Sequence, residues 1–400
     1  MKIHHNLCSA VVDALEQIFG PGGMYADKVL ENVLSSDPRR GARDRAFIAE
    51  NTYEIVRYAR LLAALTNQDP SPETDWWKVL AARLTLTETD PLPDFPEWSR
   101  LDRAALQSKL AQLKKQRAIR ESVPDWLDEL GQSELGDRWG PILTSLNAPA
   151  PVALRVNTLK TDTASARKLL LADGIDTQQT GPNSLLLLRR GNVFRSRAFQ
   201  SGGVEVQDLS SQLVAPFLQV EPGMCVVDAC AGAGGKSLHL AALMANKGRL
   251  IALDTEGWKL EQLRKRANRA GAHCIETRAI TSSKIIKRLH GTADRLLLDV
   301  PCSGLGVLRR NPDAKWKLKP EQLVQLRATQ QEILERYPAM LRPGGLMVYA
   351  TCSVLPSENE RQLEQFLQAG KGAYRLVRQQ IIMPGDNNGD GFFLALVERL

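Results

Sequence analysis

From Val206 to the carboxyl terminus the chain alternates short apolar runs with longer amphipathic ones, and this alternation constrains its fold more than any other feature. Strand-helix-strand succession points to an α/β fold, a doubly wound, mostly parallel sheet with helices on both faces. Strands are predicted at 224–228, 249–254, 274–277, 295–299, 346–351, 374–378 (the weakest) and 392–398, with the clearest helices over 259–270 and 321–340. Seven strands ending in a hairpin-like pair argue against a six-stranded dinucleotide fold.

Ligands of such sheets bind outside the carboxyl ends of the strands. One apolar run, Leu296-Leu297-Leu298, ends in Asp299-Val300-Pro301-Cys302-Ser303; another ends in Thr351-Cys352-Ser353. The first strand of the region ends in Asp228-Ala229-Cys230-Ala231-Gly232-Ala233-Gly234-Gly235-Lys236-Ser237. Small residues there let the backbone turn sharply and approach a ligand above a helix amino terminus. A P-loop would need glycine where Cys230 stands. The dinucleotide fingerprint starts with Gly232 and Gly234 and fails at Ser237. What remains is a glycine-rich turn and a second acid, Asp254, about twenty positions on, placed to accept ribose hydroxyls. An adenosine without a diphosphate fits this pattern, which points to S-adenosyl-L-methionine.

The two thiols and Asp299 then suggest a chemistry. Cytosine C5 becomes nucleophilic once a thiolate has added to C6. Charge developing at N3 needs an acid, and the C5 proton needs a base. One thiol, one carboxylate and a methyl donor at one strand edge suffice. On the residues alone either Cys302 or Cys352 could attack.

The chain has 400 residues, a formal net charge of +7 and a pI near 9.1. This balance permits a polyanionic partner such as nucleic acid. No apolar run is long enough to span a bilayer, and Met1-Lys2-Ile3-His4-His5-Asn6 is not followed by a signal-like core, so a cytoplasmic protein without membrane attachment is expected. The six cysteines contain no Cys-x-x-Cys pair and suggest neither a zinc site nor a disulfide framework; no metal is expected. Cys8, Cys225 and Cys274 read as small buried hydrophobes.

Upstream, residues up to about Arg120 read as helical. Leu7, Val11, Leu15 and Ile18 form a stripe ended by Gly20-Pro21-Gly22-Gly23. A second helix carries Val29, Val33 and Leu34, and a third runs from Phe47 through Leu62. The basic run 38–45 reads as a turn that is either solvated or touches phosphates. Residues 67–72 and 90–96 are proline-rich connections. From Val123 a small α/β module is expected, with strands at 152–157 and 184–188 around a helix at 164–171. Arg155, Lys160, Arg189, Arg190, Arg195 and Arg197 give it a basic cast suited to RNA. The run Arg309, Arg310, Lys315, Lys317 and Lys319, interleaved with Trp316, is expected to form an RNA-contacting loop near a flipped base.

Asp299-Val300-Pro301-Cys302-Ser303-Gly304 and Thr351-Cys352-Ser353, with the loop 230–236, the run 309–316, Gln207-Asp208-Leu209-Ser210-Ser211 and Asp390-Gly391-Phe392-Phe393, resemble the Sun/NOP2 family of RNA cytosine-5 methyltransferases. The likeness extends from Leu154 to the carboxyl terminus. It implies a class I S-adenosylmethionine-dependent methyltransferase with a Rossmann-like seven-stranded sheet over 204–400. More loosely, residues 1–122 resemble the NusB-like RNA-binding domain of the bacterial 16S ribosomal RNA enzymes, and 123–203 an RRM-like module. In this family the thiol after the fifth strand attacks, so the resemblance implies that Cys352 is the nucleophile and Cys302 assists product release. It further implies that Asp299 contacts the cytosine edge, Lys236 orients Asp299 and the base, and Asp254 takes the ribose. The cofactor loop would be Cys230, Ala231, Gly232, Ala233, Gly234, Gly235 and Lys236. The implied partner is RNA, 16S-type ribosomal RNA or a small-subunit precursor, bound by a monomer. Two departures stand out: the family loop commonly reads Cys-Ala-Ala-Pro-Gly-Gly-Lys, and the usual adenine-binding acid after the third strand is absent from Thr277-Arg278-Ala279. Alternatives are a ribosome-assembly factor that binds RNA without turnover, or a transfer-RNA substrate; a DNA enzyme would use the Pro-Cys thiol.

Overall fold

A computed structural model describes residues 3–89, 91–98, 101–189 and 191–400. Met1 and Lys2 of the amino-terminal run, Asp90 of the second proline-rich connection and Arg190 of the basic set lie outside them. The chain forms two compact units, Met1–Ala148 with Leu308–Pro320, and Pro149–Val307 with Glu321–Leu400. The expected boundaries at 122/123 and 203/204 coincide with neither unit's limits.

The first unit is helical. Helices His5–Phe19 and Ala26–Ser35 match the two expected stripes, and Leu7, Val11, Leu15 and Ile18 are all buried. The third expected helix is two, Ala42–Arg57 and Ala59–Leu65, because Tyr58 leaves helical geometry at φ −113° and ψ 31°. The basic turn is shorter than expected, since Ala42 already opens a helix and Arg39 folds back onto Asp37.

The run after Cys302 differs most from expectation. Lys315 is buried and donates to the Arg57 carbonyl at 2.8 Å; the Trp316 indole donates to the Val56 carbonyl at 2.8 Å. Asp313 accepts the amide of Ala26 at 2.9 Å, satisfying one of the free donors of that helix's first turn. Arg57 in turn donates to the Arg309 carbonyl at 3.1 Å. The expected RNA-contacting loop is thus a segment folded into the helical unit, with Lys315 and Lys317 donating to backbone carbonyls there.

The second unit holds two sheets. The smaller contains β1 (Ala153–Val156), β2 (Thr177–Gly181), β3 (Ser184–Leu187) and β4 (Val204–Val206) in the order β2-β3-β1-β4, all antiparallel. With helix Thr163–Ala172 after β1 and the short helix Arg197–Gln200 before β4, this is the β-α-β-β-α-β succession of a ferredoxin-like module. β2 was not legible because its edge-strand sequence, Thr-Gln-Gln-Thr-Gly, is polar and largely exposed. Arg155, expected to face RNA, is buried and donates to Gln207 at 2.6 Å.

The larger sheet contains β5 (Cys225–Asp228), β6 (Arg249–Asp254), β7 (Ile275–Ala279), β8 (Ala293–Asp299), β9 (Leu341–Thr351), β10 (Tyr374–Ile382) and β11 (Phe392–Arg399). Their order is β10-β11-β9-β8-β5-β6-β7, with only β11 antiparallel to its neighbours. This is the seven-stranded Rossmann-like sheet expected. Alternation along β8 sorts its leucines. Leu297 packs with Val214, Leu240 and Leu263 on one face, while Leu296 and Leu298 pack with Ile333, Leu334 and Phe366 on the other. Burial on both faces explains why β8 reads as a continuous apolar run.

Candidate active site

β5 and β8 sit side by side at the centre of the sheet, so the turns after them meet. The β5 turn reaches φ +53° at Gly232 and φ +89° at Gly234, left-handed values that favour glycine. The Gly232 amide donates to an oxygen of Asp254 at 2.8 Å, and the other Asp254 oxygen accepts the Glu256 amide at 2.9 Å. A side chain at Gly232 or Gly235 would meet nothing within 4 Å, so the space above the turn is open. A cavity of about 510 Å³ opens there, lined by Cys230, Gly232, Asp254, Ile280, Asp299 and Pro301 among others.

These features fit an adenosyl group. Asp254 has lone pairs left for ribose hydroxyls beyond its two amide partners. The alanines and glycines leave room, and Ile280, Ile286 and Pro301 give apolar walls. Where the adenine-binding acid is missing, Thr281, Ser282 and Ser283 line the cavity instead. Glu332, Arg336 and Tyr337 from helix Pro320–Arg336 and the turn beyond it complete another wall. Sequence reading missed that wall, because its residues belong to an amphipathic helix far along the chain.

A second cavity of about 400 Å³ is lined by Asp299, Lys236 and Cys352, together with Asp208, Asp390 and Phe392. Asp299 and Lys236 form an ion pair at 2.6 Å, with side-chain exposures of 26% and 14%. Burial alone would lower the Lys236 pKa, but the charge and hydrogen bond of Asp299 outweigh it and raise the value. Its ammonium also lies 5.4 Å from the centre of the Phe392 ring. Beneath the turn, Asp228 is buried, accepts the Ser237 hydroxyl at 2.6 Å, and is pushed up to about 7 by desolvation.

β8 and β9 pair in parallel with Asp299 opposite Ala350, so Cys302 and Cys352 leave neighbouring strand ends. Their sulfurs are 3.4 Å apart. Cys352 lines the second cavity; Cys302 is not among the residues that line it. The hydrogen bond with Cys352, then burial, pushes the Cys302 thiol well above its ordinary value. Cys230 is also raised, by burial, and is not a poised nucleophile. Cys8 is buried, while Cys225 and Cys274 are partly buried. Among the described residues no cluster is arranged to hold a metal ion. Among the described residues no helix is long and apolar enough to cross a membrane.

Fold and site together define a Rossmann-like methyltransferase. The family described as 16S rRNA methyltransferase RsmB/F matches residues 215–398, and the associated ferredoxin-like domain matches 123–194. The chain is 36% identical over 294 residues to ribosomal RNA small subunit methyltransferase B of Pasteurella multocida, covering 69% of this chain and 65% of that protein. It is 34% identical to a probable ribosomal RNA small subunit methyltransferase B of Synechocystis, covering 75% and 72% respectively. A solved methyltransferase homologue from Pyrococcus horikoshii matches at TM-score 0.64 and 26% identity, over 72% of this chain and 99% of that one. The chain belongs to the RsmB/F family of ribosomal RNA methyltransferases.

Proposed function

We propose that this protein transfers a methyl group from S-adenosylmethionine to C5 of a cytosine in small-subunit ribosomal RNA, as a cytoplasmic monomer. Family membership supports the methyltransferase class and the ribosomal substrate. The observation that carries the cytosine reading is the second cavity, where Cys352 shares one wall system with the Asp299–Lys236 pair.

The cofactor supplies an electrophilic methyl group on a sulfonium. Asp254 and the loop from Cys230 through Lys236, including Ala231, Gly232, Ala233, Gly234 and Gly235, would hold it, with Asp299 in the wall of the same cavity. The Cys352 sulfur adds to C6 of the base, and the bond electrons make C5 nucleophilic. Asp299 engages the polar edge of the ring, where charge develops at N3, and Lys236 keeps that carboxylate oriented. Methyl transfer leaves the cofactor as its thioether; a solvent base then takes the C5 proton, the C5–C6 double bond re-forms and Cys352 is expelled. Cys302, whose raised pKa keeps it protonated at neutral pH, can hand a proton to the departing sulfur 3.4 Å away.

The test is bisulfite mapping of cellular RNA with and without the protein, joined to two variants. Cys352→Ala should abolish both adduct and methylation, whereas Cys302→Ala should accumulate a covalent protein–RNA species. Full methyl transfer by Cys352→Ala would refute the nucleophile. A protected cytosine in transfer RNA alone would refute the ribosomal substrate and leave the chemistry standing.

A further inference from the structure

Each thiol is followed by a serine, Ser303 after Cys302 and Ser353 after Cys352, and both serines converge on one buried carboxylate. Glu358 is fully buried. One of its oxygens accepts the Ser303 amide at 2.8 Å and the Gln330 side-chain amide at 3.0 Å. The other accepts the hydroxyls of Ser303 and Ser353, each at 2.5 Å. Four donors fill the acceptor capacity of a carboxylate, so no lone pair is left for substrate. Gln330 also donates to the Pro301 carbonyl at 2.9 Å, gripping the residue before Cys302. The next residue, Asn359, accepts the Thr351 hydroxyl at 2.5 Å and donates to the Ser353 carbonyl at 3.1 Å, gripping both neighbours of Cys352.

We propose that Glu358 is a positioning residue: acting through Ser303 and Ser353, it clamps the turns after β8 and β9 so that Cys302 and Cys352 face each other. The physical need is specific. Pairing of β8 with β9 ends at Asp299 and Ala350 and that of β9 with β11 at Thr351; beyond them the Gly306 amide donates to the Cys352 carbonyl at 2.8 Å, and each thiol lies two or three residues past the β8–β9 pairing. A shared buried anion with charge-assisted bonds to both turns adds a side-chain constraint to that one backbone tie. A buried carboxylate is retained here at a desolvation cost that a well-packed apolar residue would avoid, which argues for geometry over bulk stability. This inference rests on reading both cysteines as working thiols, and its test is arranged to be independent of RNA.

Diamide, an azo oxidant, takes up the two thiol hydrogens and becomes the hydrazine as two adjacent thiols join in a disulfide. Its rate on the full chain reports how often the two sulfurs meet, with peptide mapping to identify the Cys302–Cys352 link. In Glu358→Gln an amide N–H replaces an acceptor and opposes the donors, so the disulfide should form at least about tenfold more slowly. Methyl transfer should lose about 100-fold in kcat, while KM for S-adenosylmethionine stays within about twofold, since Asp254 and its loop are untouched. A disulfide rate within about threefold of the parent would overturn the proposal. If Glu358→Gln does not fold, Ser353→Ala decides, because it removes the Ser353 hydroxyl with its bonds to Glu358, Ser303 and the Leu355 amide and leaves the other ties of Glu358 in place: a rate slowed at least about threefold supports the clamp, and an unchanged rate overturns it. Should the parent fail to methylate RNA while its disulfide rate still depends on Glu358, the functional reading falls and the clamp stands.

Discussion

Replacing Lys236 with methionine should separate what the ion pair contributes to stability from what it contributes to catalysis. Removing one partner of a buried pair costs about 3–5 kcal/mol, but Asp299 retains 26% side-chain exposure, so its stranded carboxylate is partly solvated. A loss of about 2 kcal/mol is expected, and at about 2–4 °C per kcal/mol for a unit of this size the melting midpoint should fall by about 4–8 °C. Adding Asp299→Asn removes the stranded charge, so the double variant should regain at least half of that stability. It should not regain methyl transfer, which should be down about 100-fold or more in both variants because the group at the cytosine edge is misplaced or gone. Calorimetry and single-turnover methylation on the same preparations give both numbers. The pH behaviour adds a check. Lys236 has a raised folded-state pKa, so the pair's contribution is complete below the unfolded value of 10.5 and is lost only as pH rises through the folded value. The difference between parent and Lys236→Met should therefore be flat from pH 7 to 9. A Lys236→Met protein as stable as the parent, or a double variant no more stable than the single, would refute the reasoning.

Two further outcomes follow from the geometry. Asp254→Ala should weaken S-adenosylmethionine binding by about 10–100-fold, the effect of losing hydrogen bonds to a charged acceptor, with RNA affinity unchanged; isothermal titration against each ligand checks it. Lys315, lowered to about 7 by burial, is charged in the unfolded chain up to a value near 10.5 but in the folded unit only below about 7. The unfolded state binds more protons between those values, so stability should rise from pH 7 towards pH 10. Lys315→Met should remove that rise in a thermal melt series.

Five of the seven strands of the large sheet were legible because each carries an apolar run bounded by glycine or an acid; β7 and β10 are more polar, yet all seven are present within a few residues of their expected limits. The site was legible for a related reason: an apolar strand has no packing use for Asp299, and helix formation does not require Gly232 and Gly234 ahead of Lys236. What the sequence hid was burial. Arg155, Lys315 and Trp316 look like nucleic-acid contacts by composition, yet each donates a hydrogen bond inside the protein, to Gln207, Arg57 and Val56 respectively. A cation serving a backbone carbonyl and one serving a phosphate have the same one-letter code. Glu358 was hidden likewise, since Ser357-Glu358-Asn359 reads as a polar turn until its side chains are seen to face inward.

The asymmetry of the two thiols follows from where each points. Two sulfurs 3.4 Å apart and hydrogen-bonded cannot both be free nucleophiles, because ionising one raises the cost of ionising the other. Cys302 is pushed well above its ordinary value, first by the hydrogen bond with Cys352 and then by burial. In the proposed chemistry the attacking role goes to the one of the pair that lines the cavity with Asp299 and Lys236, Cys352. Without Cys302 the nucleophile, the carboxylate and its lysine are all still in place, so addition to C6 and methyl transfer proceed and only the return of a proton to the departing sulfur is impaired. Without Cys352 the other thiol of the pair, Cys302, is not among the residues that line the cavity. One deletion should thus stall the reaction after the bond to RNA has formed, and the other before it, even though the two residues are equivalent in chemistry.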